Sequence, residues 1–213
     1  MNPEQQLRQG LDTLKLDLSL EVQARLLRYL GLLTKWNRTY NLTAIREPSR
    51  LVSHHLLDSL AVLPHLHGRS VADVGTGAGL PGIPIALARP DWRVVLLDSN
   101  HKKGAFLRQA VLELKLPNTR VVTDRAEVWR PAELFEVVIS RAFSDLPGFI
   151  EAGKHLCHPA GFLAAMKGVY PDEELAQLSA DATLERVVPL DVPGLKAARH
   201  LVLLRPAAAG SGQ

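Results

Sequence analysis

The hydrophobic pattern divides the chain into a helical first part and an alternating second part. In residues 1–68, apolar side chains recur every three or four positions, which is typical of amphipathic helices. One stripe runs from Val22 to Leu33 behind Ser19, a favourable N-cap residue, and a second is predicted between Pro48 and Leu63. We therefore expect residues 1–68 to form a helical extension packed on a core.

From Arg69 onward, short apolar runs alternate with helical segments. The predicted strands are Ser70–Val74, Arg93–Asp98, Arg120–Asp124, Phe135–Ser140, Gly161–Lys167, Arg186–Leu190 and His200–Arg205. Because most of these strands are continuously apolar, the pattern indicates a doubly wound α/β core with a mostly parallel sheet over residues 69–206. No long helix separates the last two strands, so we expect them to form an antiparallel hairpin at one edge. Residues 207–213 are small or polar and predict a flexible tail.

Composition and charge exclude several classes of protein. The 213 residues are 46% hydrophobic and 22% charged, which is ordinary for a soluble globular protein. A formal net charge of +3 permits an anionic partner without requiring one. The single cysteine, Cys157, excludes an internal disulfide and a Cys-rich zinc site, and we expect no metal. No apolar run is long enough to span a membrane and no signal segment is visible, so we expect a soluble, cytoplasmic protein.

The strongest local signal is a glycine-rich loop in the segment ADVGTGAGLPGIP, directly after the first predicted strand. Asp73 ends that strand, and Gly75, Gly77 and Gly79 follow at a spacing of two. Glycines allow positive φ and a close approach of the backbone to a ligand. Asp98 ends the second strand, where a carboxylate can accept hydrogen bonds from both hydroxyls of a ribose. The pattern predicts a nucleotide-like cofactor at the carboxyl ends of the strands.

Three readings of this loop stay open: an S-adenosylmethionine site, a nicotinamide site, and a tight turn without a ligand. The segment Gly77–Gly82 also satisfies the G-x-G-x-x-G pattern of dinucleotide sites. However, Asp73 could receive an ammonium group and would repel a pyrophosphate, while Pro81 and Pro84 remove amide donors from the helix start. No constellation for hydride transfer follows. These features favour S-adenosylmethionine as the cofactor.

Further candidates follow the third and fourth strands. Ala126 and Glu127 could contact an adenine ring, although a solvated charged turn explains them equally well. Arg141 could orient a substrate base or the methionine carboxylate of the cofactor, and we assign it the catalytic positioning role. Alternatively, it is a strand-end arginine that pairs with a nearby carboxylate.

The residues after the fourth strand also limit which atom of a nucleic acid base could be methylated. They contain neither an Asn/Asp-Pro-Pro-aromatic tetrapeptide for an exocyclic amine nor a cysteine that could attack a pyrimidine ring. Cys157 is expected to pack as a small hydrophobic residue. A ring nitrogen such as guanine N7 carries no proton, so its methylation needs neither the tetrapeptide nor a cysteine. It depends mainly on the positioning of the base and the methyl donor.

Basic residues flank the predicted cleft and suggest an RNA backbone as partner. The candidates for RNA contact are Arg46, Arg50, His54, Lys102, Lys103 and Lys167. The first three are spaced by four and would share one face of a helix, and two lysines open the helix after the second strand. Each of these basic groups could instead belong to a solvent-exposed face that binds no partner. Trp36 and Tyr40 could stack on a base, or pack in the core.

Taken together, these segments resemble the bacterial small-subunit rRNA guanine-N7 methyltransferases, also called the glucose-inhibited division protein B family. The resemblance rests on WNRTYNLTAI, HHLLDSL, DVGTGAGLPGIP, LLDSNHKKGAFL, SRAF and MKG. It implies a class I S-adenosylmethionine-dependent methyltransferase fold, Rossmann-like, with a mostly parallel seven-stranded sheet. The cofactor contacts that it implies are Gly75, Leu80, Ala126, Glu127 and Arg141.

The resemblance further implies a substrate, guanine 527 of 16S rRNA, presented as naked rRNA or as the 30S particle. We expect the enzyme to be a monomer. Two other functions remain open: a methyltransferase with a different RNA or small-molecule acceptor, and a non-catalytic regulator that binds a nucleotide, because a glycine loop does not prove turnover.

Overall fold

A computed structural model describes residues 2–141 and 143–207, and within these ranges the strands form one seven-stranded sheet. The strands are β1 (Ser70–Val74), β2 (Arg93–Leu97), β3 (Thr119–Val122), β4 (Phe135–Ser140), β5 (Cys157–Lys167), β6 (Ala182–Pro189) and β7 (His200–Pro206). Their order is β3-β2-β1-β4-β5-β7-β6. Strands β1 to β5 pair in parallel, whereas β7 is antiparallel to both β5 and β6. The predicted fold class and the antiparallel edge hairpin are confirmed.

Helices cover the sheet and form most of the chain before β1. They are α1 (Pro3–Thr13), α2 (Leu20–Tyr40), α3 (Pro48–Leu51), α4 (Asp58–Leu60), α5 (Gly82–Ala88), α6 (His101–Glu113), α7 (Leu146–Gly153) and α8 (Asp172–Ala176). A π-helical segment, Val52–Leu57, joins α3 to α4, and 3₁₀ turns occupy Leu63–His65 and Lys154–Leu156. Most of the predicted flexible tail, residues 208–213, lies outside the described residues.

Helix α2 begins where its sequence predicts, but it continues to Tyr40, beyond the predicted apolar stripe that ends at Leu33. The Ser19 hydroxyl accepts a hydrogen bond from the Val22 amide at 3.3 Å, so Ser19 is the N-cap. Asn41 ends the helix in the left-handed conformation, at φ 49°, which asparagine tolerates better than most residues. The Asn37 side chain then bonds the backbone N–H and C=O of Thr43 at 2.9 and 3.0 Å and holds the connector that follows.

The second predicted helix of the N-terminal part is interrupted by a π-helical turn. It starts at Pro48, whose ring fits the first turn of a helix. The prediction that Arg46 shares a helical face with Arg50 and His54 is therefore wrong, because Arg46 precedes the helix. The π turn carries His54, and such turns occur frequently at functional sites.

The N-terminal helices share one apolar cluster with one face of the sheet. Leu7, Leu26 and Leu33 are buried in the same cluster as Val94 and Ile139 of the strands. Burial of such side chains is the main favourable contribution to folding. The predicted domain boundary at residue 68 stays a prediction, because this apolar cluster contains residues from both sides of it.

One polar contact links α2 to the glycine loop after β1. The hydroxyl of the fully buried Tyr29 donates a hydrogen bond to the carbonyl oxygen of Ala78 at 2.7 Å. Burial raises the pKa of Tyr29 far above its ordinary value, so the hydroxyl stays protonated and remains a donor. Helix α2 thus holds the loop from the side opposite to the sheet.

We expect Tyr29→Phe to lower the free energy of unfolding by about 1–2 kcal/mol, because the buried Ala78 carbonyl would lose its partner. Urea unfolding followed by circular dichroism measures the change. Tyr40→Phe in the same helix is the control, since Tyr40 is 41% exposed and stacks on Trp36. Equal stability of the two variants would show that the hydrogen bond does not hold the loop.

Candidate cofactor and RNA site

The loop after β1 needs glycine for its backbone conformation. Gly75, Gly77 and Gly79 have φ angles of 66°, 60° and 91°, in the left-handed region. A Cβ at Gly77 would meet only Gly75 O at 3.9 Å and Lys103 Nζ at 4.0 Å, so the space beside it is open. A Cβ at Gly79 would instead overlap the Ile83 side chain. The loop therefore forms a cradle that a cofactor can approach at Gly77.

Asp73 lies under this loop and is fully buried. Its Oδ2 accepts hydrogen bonds from Thr76 Oγ1 at 2.6 Å and from the Gly82 amide at 2.7 Å, which joins the loop to the start of α5. Its Oδ1 is buried and has no hydrogen-bond partner in the described part of the chain. Burial raises the pKa of Asp73 to about 7, against the two hydrogen bonds, which lower it. A buried carboxylate with one free oxygen fits an ammonium group of a ligand.

Asp98 follows β2 and faces the same loop. Its Oδ2 accepts from the Gly77 amide at 2.9 Å, and its Oδ1 accepts from the Asn100 amide at 2.9 Å. The side chain is 7% exposed, and Lys103 Nζ lies 3.6 Å from Oδ2. The carboxylate predicted to bind a ribose is thus placed beside the cradle.

The two lysines at the start of α6 have different surroundings. Lys103 Nζ pairs with Asp98 and lies 4.0 Å from where a Cβ on Gly77 would stand, so its position favours a role in the cofactor site over the predicted RNA contact. Lys102 is exposed, and its amide bonds the Asn100 side chain that caps α6. Lys102 therefore keeps a charge that a phosphate could reach.

The geometry does not decide the roles of the other three cofactor candidates, Leu80, Ala126 and Glu127. Leu80 is buried, and its amide donates a hydrogen bond to the Thr76 carbonyl at 3.0 Å. Ala126 is half-buried in the turn after β3, and Glu127 is exposed with its carboxylate 3.9 Å from Arg125 Nε. Both the adenine contact and the solvated charged turn are compatible with this arrangement.

Arg141, directly after β4, pairs with a carboxylate from the N-terminal helices. Its Nη1 donates to Asp58 Oδ2 at 3.1 Å and to the His54 carbonyl at 3.2 Å. On the other side, Arg199 Nε donates to Asp58 Oδ1 at 2.8 Å. Asp58 is 1% exposed, so one buried carboxylate is shared by two guanidinium groups. Arg141 therefore pairs with a nearby carboxylate, as the alternative interpretation of the sequence predicts. Because two guanidinium groups share one carboxylate, the group of three side chains has an excess of positive charge.

Arg199 was missed by the sequence reasoning. The signal available was its place just before the last strand, β7. Since β7 runs antiparallel to β5, with His200 opposite Lys167, its first residues reach the carboxyl edge of the sheet.

Two histidines of the π turn are uncharged at neutral pH. Arg50 Nη2 lies 2.8 Å from His54 Nε2, and burial together with Arg50 lowers the pKa of His54. His55 is buried against Thr43, at 3.1 Å between Nε2 and Oγ1, and burial lowers its pKa to about 4. The positive charge of this region therefore comes from arginines.

Lys167 at the end of β5 is buried in an ion pair. Its Nζ lies 2.7 Å from Glu174 Oε2 and donates to the Ser144 carbonyl at 3.0 Å. This arrangement fastens the segment after β4 to α8 and does not favour the predicted RNA contact.

Two further sequence candidates also have partners within the protein. Arg46 donates to Asn41 Oδ1 at 3.2 Å. Trp36 stacks on Tyr40 with ring centroids 5.2 Å apart, and its ring centroid lies 5.6 Å from that of Phe106. These contacts favour packing within the protein over stacking on an RNA base.

Residues 2–141 and 143–207 contain no group of three or more His, Cys, Asp or Glu side chains that could hold a metal ion. In the same ranges, no helix has the length and apolar character needed to cross a bilayer.

Comparison with known proteins identifies the family. The family described as rRNA small subunit methyltransferase G matches residues 22–202. The chain is 56% identical over 214 residues to "Ribosomal RNA small subunit methyltransferase G" of Nitrosospira multiformis, covering 97% of this chain and 99% of that protein. It is 57% identical over 199 residues to the protein of the same name from Chromobacterium violaceum, covering 92% and 95%.

Solved structures share the fold at low sequence identity. An S-adenosylmethionine-dependent methyltransferase from Aquifex aeolicus matches with a TM-score of 0.55 and 22% identity, over 75% of this chain and 94% of that chain. The O-methyltransferase TomG from Streptomyces achromogenes, solved with S-adenosylmethionine, matches with a TM-score of 0.56 and 17% identity, over 98% and 100%.

These matches confirm the class I methyltransferase fold, the enzyme class and S-adenosylmethionine as the methyl donor. The chain belongs to the rRNA small subunit methyltransferase G family.

Proposed function

We propose that this protein transfers a methyl group from S-adenosylmethionine to N7 of a guanine in 16S rRNA, at position 527. The observation that carries the proposal is the placement of two features at one edge of the sheet. One is the glycine cradle with the free Oδ1 of Asp73. The other is the pair of arginines around Asp58. The names of its close relatives support an rRNA acceptor.

The side chains near this edge suit an acceptor that has no proton to lose. The sulfonium of the cofactor supplies an already activated methyl group. Cys157 is no nucleophile for this step, because burial raises the pKa of its thiol to about 12 and it lies at the opposite end of β5. The pKa of His54 is lowered by burial, and hydrogen bonds from the Gly148 amide and Ser144 lower that of Asp145. Such groups are weak bases, as guanine N7 methylation allows.

Within this proposal, each cofactor residue has a distinct role. Asp73 faces the ammonium of the methionine part, and Asp98 accepts from the ribose hydroxyls. Ala126 and Glu127 flank the adenine. Arg141 orients the guanine or the methionine carboxylate, through the guanidinium nitrogens that its contacts with Asp58 and His54 leave available.

The RNA would lie on the exposed cations Arg50 and Lys102 and on the partly exposed Arg199. Phosphate contacts of this kind position the substrate without reading its sequence. We further propose that the enzyme is a cytoplasmic monomer and that its substrate is 16S rRNA or the 30S particle. The helical extension, residues 1–68, would form one wall of this RNA site.

The function is tested with 30S subunits and naked 16S rRNA from a strain that lacks the modification. With labelled S-adenosylmethionine, we expect one methyl group per particle, recovered as 7-methylguanine from position 527 by mass spectrometry. With RNA and S-adenosylmethionine both saturating, the single-turnover rate should be nearly independent of pH while RNA and protein stay folded, because no base must titrate. A methyl group on another atom, a rate with a pKa that vanishes on mutating one side chain, or binding without turnover would each exclude this function.

The neighbouring lysines of α6 provide a matched pair of variants. Lys102→Ala should reduce the dependence of RNA affinity on salt by a slope of about one, without changing cofactor affinity. Lys103→Ala should weaken S-adenosylmethionine binding by about twofold to fivefold, because Lys103 contacts Asp98 at a partly exposed site. Calorimetry and filter binding across salt concentrations measure the two effects. The same response from both variants would contradict the separation of their roles.

A further inference from the structure

The loop after β5 exposes an aromatic side chain at the carboxyl edge of the sheet. Val169 is 76% exposed and Tyr170 is 48% exposed, directly after Gly168. Single exposed apolar residues are common on protein surfaces, so exposure by itself indicates little. The location is what distinguishes this loop, because β5 pairs in parallel with β4 and ends at the edge where Arg141 follows β4.

Two observations place this loop close to Arg199 of the proposed RNA site. The Tyr170 ring meets the His200 ring edge-on, with centroids 5.5 Å apart. A Cβ at Gly168 would lie 3.8 Å from Arg199 Nη1, so the guanidinium of Arg199 is beside the loop backbone. The partly exposed guanidinium of Arg199 therefore lies next to the loop that carries Tyr170, and the buried carboxylate of Asp58 links it to Arg141.

The arginines beside this loop carry an excess of positive charge, whereas Asp172 and Glu173 at the start of α8 are exposed carboxylates. Arg141 and Arg199 share the single carboxylate of Asp58, and Arg50 pairs with His54, whose lowered pKa keeps it neutral. On the neighbouring α8, Glu174 is paired with Lys167. An arginine beside an exposed aromatic ring complements the phosphate and the base of a single-stranded nucleic acid.

We propose, on the basis of the proposed function, that Tyr170 stacks on an unpaired rRNA base next to the target guanine and that Arg199 contacts the adjoining phosphate. When a guanine is drawn out of its stack to bring N7 to the methyl group, a flanking base loses a stacking partner. The Tyr170 ring replaces that partner. No sequence-specific contact is required, since every base presents a π-face.

Kinetic measurements on Tyr170→Ala and Tyr170→Phe test the stacking directly. With unmethylated 30S subunits, Tyr170→Ala should raise the KM for RNA on the order of tenfold. Tyr170→Phe should restore the wild-type value, because the ring is kept and the hydroxyl donates no hydrogen bond to any described residue. Leu112→Ala, at a side chain 72% exposed on α6, is the surface control and should match the wild type. Affinity for S-adenosylmethionine should be the same in all four proteins.

A set of methylatable 16S rRNA fragments with single abasic nucleotides identifies the base. Removing one base beside the target should raise KM for the wild type and not for Tyr170→Ala. An unchanged KM in Tyr170→Ala, a failure of phenylalanine to restore it, or equal sensitivity of both proteins to every abasic position would overturn the stacking proposal. Wild-type protein that forms no 7-methylguanine would instead reject the proposed function, so the two failures are distinguishable.

Discussion

The buried carboxylate of Asp73 fixes the loop between β1 and α5, and the site is built around that loop. One oxygen binds the Thr76 hydroxyl and the Gly82 amide, which sets the conformation in which the three glycines take positive φ. From the other side, Tyr29 holds the same loop through the Ala78 carbonyl. Asp98 then meets the loop at the Gly77 amide. Loss of the Asp73 contacts would free Thr76 Oγ1 and the Gly82 amide and leave the loop held to the sheet by the Gly75 and Thr76 amides, which donate to the Leu97 carbonyl at 2.8 and 3.1 Å.

This arrangement has an energetic cost that depends on pH. Burial raises the pKa of Asp73 from 3.8 to about 7 in the folded protein. The folded state therefore binds a proton more tightly than the unfolded chain, and this group lowers the free energy of unfolding progressively as pH rises from about 4 to about 7. A cationic ligand group beside the free Oδ1 would offset that cost. A destabilising group at this place is understandable if ligand binding, rather than folding, is what the carboxylate serves.

Much of the fold and part of the site could be predicted from sequence, because their signals are local. The strands follow from apolar runs, and the cradle follows from glycine spacing with Asp73 and Asp98 at strand ends. Partners in tertiary contact could not be predicted in the same way. Asp58 and Arg199 are 141 residues apart and meet only because β7 runs antiparallel beside β5. The surroundings of a lysine also depend on residues that are distant in sequence. Lys167, for example, is buried against Glu174 and does not face solvent.

The most direct test of this account is the pH dependence of S-adenosylmethionine affinity, measured by calorimetry from about pH 5.5 to 7.5, below the range where an α-amino group loses its proton. An ammonium beside Asp73 favours the ionised carboxylate, so affinity should rise with pH, level off near the pKa of about 7, and be accompanied by proton release. Asp73→Asn, checked for folding by circular dichroism, should bind more weakly and show no such rise. Wild-type affinity that is flat across this range, or an unchanged rise in Asp73→Asn, would contradict the role assigned to Asp73.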